Sequence, residues 1–273
     1  MKVISITNQK GGTGKTTTAH AIGAGLTKRG YRVLLIDLDA QQNLTFTANA
    51  SPQGQTIADL LQKVIDAKPG QKVQLWDAIQ GTQGGHIIAG NQALAAADTV
   101  LADVSGSDTK LKELLKPLRT SYDYCIIDTP PTLGTLTINA LAAADEVIAP
   151  AQADIYSLIA IGQLYATIHT VKKYSNKKLS FKGIVLTRYN GRSVISRELT
   201  QQLEQAATEY GTKLFNTKIR ECTAIKEAEY LQQNIFDYAP RSNAAADYNA
   251  LIDEILAGTG GPEQGATAAT EKK

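Results

Sequence analysis

The sequence predicts an α/β fold: a single doubly wound, mainly parallel sheet flanked by helices, over residues 1–257. Three observations lead there. Short apolar runs rich in β-branched residues alternate with helical segments, the rhythm of parallel strands joined by helices. The segment YDYCIID (122–128) is apolar almost without interruption, as a strand covered on both faces must be. A glycine-rich turn lies between the first strand and the first helix.

Each element follows in order. KVISIT (2–7) is a strand, and residues 15–29 form a helix that begins in a threonine cluster and stops before Gly30. RVLLIDLD (32–39) is a second strand, ending in carboxylates. TIADLLQKVI (56–65) has helical periodicity, HIIAG (86–90) reads as a short strand, and LKELLKPLR (111–119) as a helix with Pro117 near its end. The YDYCIID strand, a helix at 134–143 and the strand EVIAPA (146–151) come next. A helix at 155–173, the strand FKGIVLTRY (181–189), and helices near 196–210, 223–233 and 243–257 complete the domain. The remainder, 258–273, is Gly/Ala/Thr-rich without apolar periodicity and is expected to be a disordered tail.

Composition narrows the class. Of 273 residues 43% are hydrophobic and 20% charged, an ordinary globular balance. The chain opens directly on a strand, leaving no room for a signal peptide, and no apolar run reaches the ~20 residues of a membrane span. Cys125 and Cys222 stand far apart in no metal spacing, and Cys125 reads as a core residue. A cytoplasmic, reducing location is expected. His20, His86 and His169 are scattered and suit packing or surface roles. Net charge is +2, but residues 172–241 carry 13 Lys+Arg against 7 Asp+Glu. A local basic surface binds polyanions even on a nearly neutral protein.

The chemistry concentrates in residues 8–17, NQKGGTGKTT. Between a strand and a helix, Lys10, Gly11, Gly12, Thr13, Gly14, Lys15, Thr16 and Thr17 form a phosphate-binding loop, or P-loop. Glycines let backbone N–H groups face phosphate oxygens, and the helix start adds positive potential. Lys15 is placed for the β/γ-phosphates of ATP and the Thr16 hydroxyl for Mg²⁺. The ordinary pattern wants glycine where Gln9 stands; a second lysine, Lys10, precedes the glycine pair instead. Asp37 and Asp39 close the second strand and Asp128 closes YCIID, so three strand ends converge on the phosphates. Asp128 is the candidate acid beside Mg²⁺, and one of Asp37 and Asp39 the candidate for orienting the attacking water.

These residues resemble the ParA/Soj/MinD family of deviant Walker A ATPases, most closely the ParA/Soj-type partition proteins. The likeness covers roughly residues 1–257. It rests on Lys10–Thr17, on the Asp37-Leu38-Asp39-Ala40-Gln41-Gln42-Asn43 motif, where Ala40 replaces the usual proline, on Asp128-Thr129-Pro130-Pro131, and on stretches near Ile219–Ala228 and Tyr238–Ser242. The resemblance implies that Lys10 acts across an ATP-sandwich homodimer, that Lys15 binds phosphate and Thr16 Mg²⁺, and that Asp39 positions water near the metal. It implies Asp128 as a second acid at Mg²⁺, and base contacts from the loops at Thr187–Asn190 and Tyr238–Arg241, including Asn190 and Pro240. It also implies a non-specific DNA surface at Arg192, Arg197, Lys218 and Arg220, with Lys213 nearby, and a ParB-like centromere-binding adaptor that stimulates slow hydrolysis. The expected protein is nucleoid-associated.

Other readings of the same core are weaker. A MinD-like membrane helix needs large apolar residues opposite basic ones, and the tail has none. An iron-protein-like reductase needs paired cysteines. A protein-cargo positioner, or a nucleotide-dependent scaffold with little hydrolysis, shares these motifs.

Overall fold

The computed structural model describes residues 1–273 except 69–70, 72, 103, 105 and 258–273. The tail expectation therefore lies outside the described residues. The elements, in order, are β1 (Lys2–Ile6), α1 (Lys15–Lys28), β2 (Val33–Asp37), α2 (Asn43–Thr47), α3 (Ile57–Asp66), β3 (Ile79–Thr82), β4 (Gly85–Ile88), α4 (Leu94–Ala102), α5 (Lys110–Leu115), β5 (Tyr124–Asp128) and α6 (Thr135–Ala143). There follow β6 (Glu146–Ala151), α7 (Ile155–Tyr174), β7 (Ser180–Tyr189), α8 (Val194–Glu209), β8 (Leu214–Arg220), α9 (Thr223–Tyr230), α10 (Ile235–Tyr238) and α11 (Asn243–Ala257). They build an eight-stranded sheet in the order β3-β4-β2-β5-β1-β6-β7-β8, parallel except for the β3–β4 pair.

Side-chain alternation along the strands feeds two cores. Val3, Leu34, Ile36, Cys125 and Ile127 join one layer with α3–α8. Ile4, Leu35 and Ile126 join the other with α1, α9, α10 and α11. Both faces of β2 and β5 are buried throughout, which is why these strands read as unbroken apolar runs. Cys125 is fully buried and its thiol is pushed up by burial, as a core residue's would be. Gly25 in α1 lets α11 approach: a Cβ there would stand 2.3 Å from Ile252 Cδ1.

Two strands and three short helices escape sequence periodicity. β3 (IQGT) is a Gly-containing edge strand with no buried residue. β8 (LFNTKIR) buries only Phe215 and Ile219 and edges the opposite side of the sheet. Lys218 and Arg220 lie on strand β8, Arg220 as its last residue, with Lys213 just before it.

His20 packs inside the α1 layer, and burial depresses its imidazole to about 4 from its ordinary value of 6.5. The unfolded chain therefore takes up a proton that the native one refuses. Stability from this group is fully present above pH 6.5 and is lost as pH falls toward 4, by up to about 3 kcal/mol. A His20→Gln variant should show a flatter stability–pH curve across that window in urea titrations.

Candidate nucleotide-binding site

The site forms where β1, β5 and β2 end side by side. Their parallel register sets Ile6 opposite Asp128, and Asp128 opposite Asp37. The chain then leaves β1 through the glycine-rich loop. Gly12 and Gly14 take φ values of 72° and 79°, conformations that glycine adopts without cost. Gly14 hands over directly to α1 without a side-chain cap, so the helix's first N–H groups face the loop cavity.

Neighbouring elements clamp this loop. Thr187, at the end of β7, donates its hydroxyl to Thr13 O at 2.8 Å, and the Gln152 amide donates to Gly12 O at 3.0 Å. Asn8 donates to Pro150 O and accepts from the Lys10 N–H. The cradle is thus held before any ligand arrives, which removes an ordering cost from binding.

The two lysines occupy different places. Lys15 is buried inside the cradle, and its ammonium donates to Lys10 O at 3.3 Å. Burial depresses its pKa, and the Asp128 and Asp39 carboxylates offset part of that. Lys10 points out of the cradle toward the start of α7. There it pairs with Asp154 and donates to Ser157 Oγ at 3.3 Å. Asp154 is also the N-cap of α7, accepting from the Ser157 N–H at 2.9 Å. Burial alone would raise the Asp154 carboxyl; the Lys10 and Ser157 hydrogen bonds outweigh it and hold the pKa low. Exposed Ile155, Tyr156 and Ile159 flank this corner.

The three acids divide similarly. Asp37 is fully buried and architectural: it accepts from Thr45 N at 2.8 Å, from Thr45 Oγ1 at 2.7 Å and from Asp39 N at 3.1 Å. Burial still lifts its pKa to about 6, with those bonds opposing. Gly90 must approach here, since a Cβ would stand 2.7 Å from Asp37 O. Asp39 sits two residues beyond the strand in a turn closed by Gln42 N to Asp39 O at 2.9 Å. That turn forms with Ala40 in place of proline. One Asp39 oxygen accepts from Gln41 N at 3.0 Å.

Asp128 accepts from the Thr16 hydroxyl at 2.6 Å through Oδ2, while its buried Oδ1 has no partner. Its pKa is raised well above the ordinary range, by burial first and then by Asp37. An orphaned buried carboxylate oxygen next to a threonine hydroxyl fits a hard divalent cation and its waters. Among the described residues no group of three or more His, Cys, Asp or Glu could hold a metal ion alone. Such an ion would depend on ligand oxygens and water, as Mg²⁺ commonly does.

Beside Gly14 and Thr17 opens a narrow hollow. Its walls come from Thr187 and Arg188, from Ile219–Cys222 at and just beyond the end of β8, and from Ile225 and Lys226 in α9. Arg188 has a φ of 47°, unusual for a residue with a side chain. Thr17 donates to Glu229 at 2.5 Å, joining the helix start to α9. Asn190 and Pro240 are not among the hollow's walls; Asn190 Oδ1 instead accepts from the Arg192 N–H. The sequence marked the stretch near Ile219–Ala228 but not its place beside Gly14 and Thr17, because β8 itself had gone unread.

The basic residues are not equivalent. Arg192 is exposed, in the loop before α8. Arg197, in the first turn, donates to Gly191 O and Arg192 O and so braces that loop. Lys218 lies over the Tyr189 ring, 4.8 Å from its centroid. Arg220 already has a carboxylate: two of its guanidinium nitrogens hold Asp247, at 3.0 and 2.6 Å.

Known proteins resemble this chain in sequence and fold. A family model described as an AAA domain matches residues 1–181. The sporulation initiation inhibitor protein Soj of Bacillus subtilis is 37% identical over 94% of this chain and 98% of its own length. The chromosome-partitioning ATPase Soj of Thermus thermophilus is 35% identical over 93% and 95%. A solved structure of cobyrinic acid a,c-diamide synthase from Mycobacterium smegmatis, with bound ATP analogue and magnesium, superposes with a TM-score of 0.77. It is 32% identical, covering 94% of each chain. With its sheet order, two-lysine loop and strand-end acids, the chain belongs to the ParA/Soj family of deviant Walker A P-loop ATPases.

Proposed function

We propose that this protein is a Mg·ATP-driven DNA partition ATPase. In this reading ATP joins two copies into a sandwich, the dimer holds double-stranded DNA without sequence preference, and a ParB-like adaptor stimulates a slow intrinsic hydrolysis. The protein then works in the cytoplasm, on the nucleoid. The observation that carries the proposal is the separation of the two lysines: Lys15 fills the cradle, while Lys10 stands outside it on a corner with exposed apolar side chains. One ammonium serves the subunit's own phosphates and the other is free to serve a neighbour's once it leaves Asp154.

When bound, Mg²⁺ neutralises phosphate charge. The chain's own residues do the rest. Gly11–Gly14 and the start of α1 present N–H groups to the phosphates, Lys15 pairs with them, and Thr16 and Asp128 offer oxygen atoms to the metal and its waters. Asp39 orients water. Among the described residues no helix is long and apolar enough to cross a membrane.

The enzyme reading is checked by single-turnover ATP hydrolysis with and without DNA; a scaffold that never turns over above background would sink it. For DNA, Arg192→Glu is the informative variant. Arg220→Glu would set a carboxylate against Asp247 and disturb β8 and α11, confounding binding with folding. Arg192→Glu should weaken ATP-dependent retention on random-sequence duplex at least tenfold while ATP binding persists. Unchanged retention removes Arg192 from the surface.

A further inference from the structure

The positive charge of residues 172–241 is concentrated, not spread. Residues 172–182 hold five lysines and no carboxylate, whereas residues 183–241 hold 8 Lys+Arg against 7 Asp+Glu. The fold separates these two parts in space. α7 and α8 both follow the carboxyl ends of parallel strands, so both begin at the nucleotide end of the sheet and finish at the opposite end. Arg192 and Arg197 stand where α8 begins. Lys172 and Lys173 lie in the last turn of α7, and Lys177 and Lys178 in the link to β7, at the far end.

These four lysines are exposed, and none forms an ion pair among the described residues. Of the nearby carboxylates, Glu146 holds Lys2 and Lys182 and Asp108 accepts from the Ser175 hydroxyl, while Glu198, Glu204 and Glu209 stand exposed along α8. Lys172, Lys173 and Lys177 line a groove of about 650 Å³ together with His169 and the stacked rings of Tyr165 and Tyr210, whose centroids are 4.2 Å apart. The ring pair joins the middle of α7 to the end of α8 beside the lysines.

We propose that this lysine cluster is a second contact for the phosphate backbone of double-stranded DNA, continuing the Arg192 and Arg197 contact down the α7–α8 side. The proposal rests on the DNA reading above. Charge complementarity selects the ligand. Four exposed ammonium groups, in a segment (172–182) without a carboxylate, suit a regular polyanion, and lysine heads neutralise phosphates without reading bases. The spacing fits as well. From Arg197 to Tyr210 the helix runs about 20 Å at 1.5 Å per residue, which one duplex turn of about 34 Å accommodates.

The test uses the full chain with Lys172, Lys173, Lys177 and Lys178 all changed to glutamate, and a milder set changed to glutamine. Binding to a random-sequence duplex is measured with ATP across a salt series. We expect the glutamate set to weaken binding at least tenfold and to flatten the plot of log affinity against log salt by about 2, as loss of two or more phosphate contacts does. The glutamine set should fall between it and the parent. ATP binding and thermal unfolding should be unchanged in the glutamine set. The proposal is overturned if Arg192→Glu weakens duplex binding while both lysine sets keep the parent affinity and slope. It is equally overturned if the lysine sets lose binding only to polyglutamate or to phosphatidylglycerol vesicles. A parent protein that binds no duplex at all would instead defeat the DNA reading itself.

Discussion

An Asp39→Ala protein should bind ATP as the parent does and hydrolyse it roughly 10² to 10⁴ times more slowly, the range set by loss of a positioned acid–base group. The geometry explains why binding survives. Lys15, Thr16 and the loop glycines make no hydrogen bond to the Asp39 side chain, and Asp37 holds Thr45 independently. The Asp39 carboxyl has one oxygen tied to Gln41 N, and its charge reaches Lys15 inside the cradle. It is near the phosphate site yet carries none of the architecture. Equilibrium ATP binding and single-turnover hydrolysis, measured on one sample, check this. A variant that hydrolyses ATP within a factor of ten of the parent would exclude Asp39 from the reaction.

Lys10→Ala should abolish ATP-dependent dimerisation, seen as a monomer by light scattering at ATP concentrations that pair the parent. ATP binding to the single subunit should persist, because Lys15 alone fills the cradle. The substitution also removes the Asp154 partner. That pair is partly exposed, with side-chain accessibilities of 23% and 31%, so its loss should cost the fold no more than about 1 kcal/mol. A dimer that forms undiminished with ATP would remove Lys10 from any cross-subunit role.

Much of this was legible in the chain. The cradle was readable because NQKGGTGKTT combines glycines, lysines and threonines between a strand and a helix. The acids were readable because they end apolar runs. The sequence could not divide the labour within LLIDLD, since Asp37 and Asp39 differ by burial and partners, which only the packed sheet assigns. β8 stayed hidden because it is an edge strand whose three apolar residues, Leu214, Phe215 and Ile219, stand among polar ones without alternation, too weak a pattern to separate from a loop. That one omission also hid the Ile219–Cys222 wall and the strand that carries Lys218 and Arg220. The charge excess was visible as a sum, but its division between the two ends of α7 and α8 needed the direction of the helices.

Two aspartates separated by a single leucine thus face unlike selection. A chain altered at Asp37 would lose the Thr45 clasp and tend to disappear through misfolding, leaving an intact copy in the same cell to work alone. In the proposed sandwich dimer, a chain altered at Asp39 would persist, pair with intact partners and stall them. The first lesion would be recessive and the second dominant, a genetic difference arising from where one strand stops.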